Sequence, residues 1–422
     1  MKKLIVFLVC ANLTFFAGAD RAGWLGTRRI AVQKAQQKKP VVAAQACTDQ
    51  CSQKFLPASV PSDSVTFDPI VVLVKKKIFS FMRRYKIPGV AVVLYAHGKP
   101  YLFHCGYADR DAKVPVTEKT LFEVGSITKL FTCLLVAQEV LAGTLSLTAS
   151  IRDYIPTLQA NRRLKNMTLE RLATHTATLP FNVPESINTK EKFLSYVARW
   201  RTPCTASLAY VYSNPSIELL RCALEETTGK SFQDLLVHRI LLPLGMSRVG
   251  IAIPEGYATY CARCYDKMGK LTKRWHHPLL LGSAALRASS IDMLAFLKAA
   301  IGLPGTPERV VAAMHLTQTP HVYQGNASIG LGWCIRDLQI LASVKKRSGP
   351  LFKNACVCRV KKNKQVFNGH AFFDKTGTTE GFHAYIAAMP SYSKGIVVMM
   401  NRTLPKGWKV ASKLGREILL RV

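Results

Sequence analysis

Residues 123–143 read EVGSITKLFTCLLVAQEVLAG, an almost wholly apolar run that carries one serine, Ser126, and one lysine, Lys129, three places later. Phe131, Cys133, Leu134, Leu135, Val136, Ala137, Val140 and Leu141 leave only Thr132, Gln138 and Glu139 as polar interruptions, so the run predicts a helix buried on most sides. Gly143 is its stop signal. An ammonium group is costly in such surroundings unless it is paired or has a chemical task, and a spacing of three puts it on the helical face of Ser126. The free N–H groups at the helix start favour negative charge developing at the serine, and a partly desolvated lysine can take or relay its proton.

Around that helix the chain reads as a discontinuous fold. Asp68 and Pro69 open a helix with Ile70, Val74, Ile78 and Phe81 at helical spacing, and GVAVVLY, AHGK and PYLFHCGY give a hairpin near residues 89 to 107. HAYIAAMP and GIVVMMN predict two more strands, followed by a last helix from about Trp408 to Leu420. Strands at both ends of the chain with helical patterns between them imply an α+β fold. One antiparallel sheet is built from 67–110 and 370–422, and the mostly helical stretch 111–369 packs beside it.

Composition bounds the rest. The chain has 422 residues, 49% of them hydrophobic, enough for a large core, and no nucleic-acid-binding motif accompanies its net charge of +33. Lys2, Lys3, the apolar run Leu4 to Phe16 and the small residues Ala17, Gly18 and Ala19 predict a signal peptide over 1–19 and hence export. The weaker alternative is an N-terminal anchor, because the run is short of a full span. Residues 20–66 read as a basic linker or arm, and 67–422 as one catalytic domain. The basic residues of the acid-free stretch from Lys345 to Lys364 could attract an anionic envelope surface, or be solvated loop charge. In an oxidising compartment some of the twelve cysteines are expected in disulfides, while Cys261-x-x-Cys264 with Cys356-x-Cys358 is too tightly spaced for the usual zinc site.

Ser-x-x-Lys alone is weak, and Ser343 with Lys346 and Ser391 with Lys394 repeat it without a buried helix start. Two further triplets, each present once, strengthen it: Tyr212-Ser-Asn214 lies 86 residues after Ser126, and Lys375-Thr376-Gly377 lies 163 residues after Tyr212. In this order the three resemble the penicillin-recognising serine hydrolases, and the class C β-lactamases most of all. LATHTATLP, VYSNPSIELL and KTGTTEGFHAYIAAMP resemble segments of that family, and the likeness runs from about residue 70 to the end. A class A reading through Ser186-Ile187-Asn188 fails for want of a following Glu-x-x-Leu-Asn, and a metallo-β-lactamase for want of His-x-His-x-Asp.

The resemblance implies a β-lactamase/transpeptidase-like fold and an acyl-enzyme on Ser126, with no metal or cofactor. It makes Lys129 and Tyr212 the proton-handling groups and Lys375 a catalytic and carboxylate-facing residue. Asn214 would tie down Lys129 and touch the substrate side chain, Thr376 would face the substrate carboxylate, and Gly377 would let substrate lie against its strand. The amides of Ser126 and Thr378 would form the oxyanion hole, and Asn182 stands where the family commonly has a glutamine. Lys406 and Thr378 are departures from the family pattern. A small-molecule β-lactam substrate, a monomer and a periplasmic location are the accompanying expectations. A D-Ala-D-Ala peptidase or esterase of the same fold shares the motifs, and a non-catalytic envelope-binding protein is the alternative outside enzymology.

Overall fold

The computed structural model describes residues 68–201, 209–251, 256–324, 327–338, 358–359, 361–362 and 366–422. The proposed signal peptide and arm, most of the basic stretch 345–364 and the Ser343–Lys346 pair lie outside them.

A ten-stranded sheet carries the fold. Its strands are β1 (Gly89–Ala96), β2 (Lys99–Asp109), β3 (Val114–Pro115), β4 (Val322–Gln324), β5 (Ala327–Ile329), β6 (Cys334–Arg336), β7 (Lys361–Lys362), β8 (Phe372–Thr378), β9 (His383–Met389) and β10 (Lys394–Met400). They run in the order β7-β4-β5-β6-β8-β9-β10-β1-β2-β3. Early and late segments of the described chain meet where β10 pairs antiparallel with β1, Val398 opposite Val92. The β1–β2 hairpin turns through His97 and Gly98, both at positive φ (50° and 75°), the twist that a two-residue hairpin connection requires.

β1, β9 and β10 read as unbroken apolar runs because both faces of the sheet are covered. Val90, Val92 and Leu94 join one core with α1 (Pro69–Tyr85) and the last helix, Gly407–Leu419. Ala91 and Val93 join the larger core, shared with α2 (Thr128–Leu141) and α3 (Asn214–Thr228). Asp68 caps α1 by accepting from Ile70 N at 2.9 Å and binds Lys99 Nζ with its other oxygen at 2.9 Å, which ties the helix to the hairpin.

The expectation that 111–369 is mostly helical is corrected in one respect: β4 to β7, drawn from within it, extend the sheet beyond β8. These strands are two or three residues long, too short to leave a period-two signature in sequence. The disulfide expectation is not met where it can be read. Cys133, Cys222, Cys261, Cys264 and Cys334 are all thiols, and no group of three metal-binding side chains forms among the described residues.

Candidate active site

Ser126 sits in a single 3₁₀ turn, Gly125–Ile127, that runs directly into α2, so its hydroxyl stands at the helix mouth while Lys129 points back along the same face. Lys129 is completely buried, and its Nζ donates to Ser126 Oγ at 3.1 Å, Asn214 Oδ1 at 2.6 Å and the Ser283 carbonyl at 2.9 Å. Burial pushes the Lys129 pKa down, Tyr212 opposes the shift and Lys375 adds to it. The lysine is therefore a held, partly destabilised cation beside the serine.

Asn214 occupies the first position of α3, where Ser213 caps the helix by accepting from Ser216 N at 3.1 Å. That cap directs the Asn214 side chain between two partners: its oxygen accepts from Lys129, and its Nδ2 donates to Asn182 Oδ1 at 2.6 Å. Asn182 is exposed and lines the cleft.

Tyr212 stands between the two lysines. Lys375 Nζ donates to its hydroxyl at 3.2 Å, and both Lys129 Nζ and Lys375 Nζ lie 5.1 Å from its ring centroid. Burial alone pushes the phenol pKa up, but Lys129 and then Lys375, with hydrogen bonds from Ser126 and Lys375, bring it down to about 7. Tyr210 instead lies in a two-residue ladder opposite Cys358.

Lys375 to Thr378 form the open edge of β8, since β6 pairs only with residues 372–374. Gly377 is required for a reason different from the one its motif implies. A Cβ there would lie 1.9 Å from the Val124 carbonyl oxygen, so the missing side chain faces the serine turn rather than the cleft. Gly125, at φ 51°, answers it, because a Cβ on that residue would meet Thr378 N at 2.6 Å. The two glycines let the strand and the serine turn meet backbone to backbone. Thr379 N bonds to Phe382 O at 3.1 Å, and the ladder alternation then turns the N–H of Thr378 away from β9, toward the serine.

Thr378 Oγ1 bonds to His383 Nδ1 at 3.0 Å, and His383 Nε2 accepts the N–H of Leu404 at 2.9 Å. A main-chain N–H can only donate, so the neutral ring carries its proton on Nδ1 and gives it to Thr378. Burial pushes the His383 pKa down to about 4. Lys406, at φ 53°, stands at the start of the last helix and lines the same cleft with Thr376.

The decoys separate. Ser391 lies in the turn Pro390–Tyr392 and Lys394 Nζ donates to the Val422 carbonyl at 2.6 Å. Ser186 and Asn188 do not line the cleft. Sequence reasoning missed the groups behind Lys129. Ser283 presents its carbonyl to the ammonium and donates its hydroxyl to the buried Glu218 at 2.9 Å, and Glu218 pairs with Arg221 at 2.7 Å. The position of Glu218, one helical turn beyond Asn214, was the available signal.

The beta-lactamase family matches residues 74–420. The chain belongs to the beta-lactamase family. Among its relatives, the beta-lactamase of Pseudomonas fluorescens is 28% identical over 80% of this chain and 95% of its own length. That of Escherichia coli K12 is 29% identical over 80% and 90%. A beta-lactamase/D-alanine carboxypeptidase structure from Pseudomonas syringae aligns at TM-score 0.77 and 26% identity over 84% of this chain and 99% of that one. A class C beta-lactamase in complex with cefoxitin aligns at TM-score 0.76 and 26% identity, with the same coverage. The β-lactamase cleft described above is thus that of a serine enzyme whose structural neighbours are class C.

Proposed function

We propose that the protein is an exported class C β-lactamase that opens cephalosporins and penicillins through an acyl-enzyme on Ser126. The observation that carries this reading is the placement of the Tyr212 hydroxyl between Lys129 and Lys375, beside Ser126, with its pKa brought to about 7. A phenol near that value is a competent base at neutral pH.

Tyr212, with Lys129, takes the Ser126 proton as Oγ attacks the lactam carbonyl. The tetrahedral oxyanion is held by the N–H groups of Ser126 and Thr378, donors worth about 3 kcal/mol of barrier each. Collapse breaks the C–N bond, and the departing nitrogen receives a proton from Tyr212. Water, oriented by the same phenolate, then attacks the ester and returns Ser126. Lys375 and Thr376 face the substrate carboxylate, and Asn214 and Asn182 face its side-chain amide. Periplasmic location rests on Lys2, Lys3 and the apolar run after them, and an anionic envelope contact rests on the basic stretches alone.

A chromogenic cephalosporin followed by intact mass tests the reading. Turnover that Ser126→Ala abolishes in a folded protein, unaffected by EDTA, is the expected result. A stable adduct without turnover would point instead to a D-Ala-D-Ala peptidase, in keeping with the D-alanine carboxypeptidase name of the Pseudomonas syringae neighbour.

A further inference from the structure

His175 falls within LATHTATLP, between the serine helix and Tyr212 in the chain. It follows the short helix Leu169–Ala173 and adopts φ 58°, a left-handed conformation that is uncommon for a residue with a side chain. Its main-chain carbonyl accepts the N–H of Val211 at 2.8 Å, and its ring Nδ1 accepts the N–H of Ser213 at 3.3 Å. The residues before and after Tyr212 are thus both anchored to His175. Its ring also lies against the Tyr212 ring, with centroids 4.3 Å apart at 44°, and edge-on to Tyr210 at 5.9 Å.

The tautomer follows from this. Because Ser213 N can only donate, the Nδ1 of His175 is an acceptor, and the neutral ring carries its proton on Nε2, a buried atom without a hydrogen-bond partner among the described residues. Burial, reinforced by Lys129 and Lys375, pushes the His175 pKa well below the ordinary histidine value, so the ring adds no third positive charge to the cleft.

We infer that His175 is a positioning residue for Tyr212, pinning the chain on both sides of it and bracing its ring so that the hydroxyl stays between the two lysines. The charged and titratable groups facing that phenol are Lys129 on α2, Lys375 on β8, Ser126 at the helix mouth and His175 itself. The depressed phenol pKa depends on distance to the two cations, and a ring free to swing loses it.

The inference rests on Tyr212 being the base of the proposed β-lactamase, but its test does not need turnover. The probe is ¹³Cζ-tyrosine NMR titration of the full chain, with Tyr212→Phe to assign the resonance, alongside steady-state kinetics on a cephalosporin. His175→Asn retains an acceptor and tolerates the left-handed backbone; His175→Gly retains the backbone alone. In the glycine variant the Tyr212 midpoint should climb from near 7 toward the ordinary phenol value of about 10. Its kcat should fall about tenfold or more, with KM within about threefold. Asparagine, which keeps the acceptor for Ser213 but not the ring against Tyr212, should fall between the glycine variant and wild type in both.

A folded glycine variant with an unchanged midpoint and kcat within about twofold of wild type overturns the inference, as does an asparagine variant no better than glycine. Should the glycine variant not fold, the asparagine variant decides. A midpoint between 7 and 10 with reduced kcat supports the inference, and wild-type values for both overturn it. A wild-type protein that titrates as described but turns over no β-lactam refutes the proposed function and leaves the His175 inference standing.

Discussion

Lys129 and Lys375 bring the same ammonium group to one phenol from two different kinds of structure. Lys129 rises from a helix that is apolar on almost every side, is wholly buried, and is held by a hydroxyl, an amide and a carbonyl from three separate stretches of chain. Lys375 lies on an open strand edge, 9% exposed, and donates to Tyr212 and to the adjacent Thr376 carbonyl. The buried lysine has partners that a different side chain would leave stranded. The edge lysine lines the cleft, and one of its two acceptors belongs to its own strand. Equal distances to the Tyr212 ring therefore arise from unequal packing, and the two positions should tolerate change differently.

The largest effect should come from breaking the buried side. Lys129→Met is expected to lower kcat/KM on a cephalosporin by roughly 10³-fold, within the range of losing a proton-transfer group. Its melting temperature should fall, because Asn214 Oδ1 and the Ser283 carbonyl lose their buried donor. Lys129→Arg should be nearly as inactive and less stable, since a guanidinium is larger and does not surrender its proton. Lys375→Arg, at the strand edge that lines the cleft, should retain activity to within about tenfold. Equal tolerance at the two positions, read by kinetics and thermal melting, would undo the comparison.

Tyr212→Phe sharpens it by removing only the oxygen that both lysines serve, and a fall of about 100-fold in acylation and deacylation is expected. Tyr210→Phe should cost far less; if it were the more damaging change, the base would have been misassigned. Wild-type kcat/KM should also fall as the pH drops through about 7, where Tyr212 takes up its proton. In the Lys375→Met variant this limb should move to higher pH, because one of the two stabilising cations is gone.

The smallest effect concerns stability. His383 is neutral in the fold down to pH about 4, whereas the unfolded chain takes up that proton near 6.5. The unfolded state then binds more protons across that window, so stability declines as pH falls from about 6.5 to about 4 and is insensitive to this group below it. The contribution is at most about 3 kcal/mol. His383→Gln keeps an acceptor for Leu404 and should flatten that part of a urea-denaturation pH series. An unchanged slope would mean that another group titrates there.

Short-range periodicities made much of this protein legible in its sequence. A helical repeat of 3.6 placed Ser126 and Lys129 on one face, and continuous apolar runs in 89–96, 383–389 and 394–400 marked strands covered on both sides. Asp68 followed by Pro69 announced the helix that opens the domain. Signals of this kind survive because each residue's own neighbours along the chain carry them.

Tertiary structure alone decided the rest. The Tyr-Ser-Asn triplet marks Tyr212 rather than Tyr210, but only the fold places its hydroxyl between two lysines that lie far away in the chain. Gly377 reads as a clearance for substrate until the Val124 carbonyl is found opposite it, and His175 reads as one letter of a loop until Val211 and Ser213 are seen bonded to it. The strands at 322–336 are too short to announce themselves and exist because a neighbouring strand offers its edge. Sequence determines what repeats within a turn of helix or a step of strand. Which distant groups share a cleft, and hence which proton can move, is set by packing between segments that no local pattern encodes.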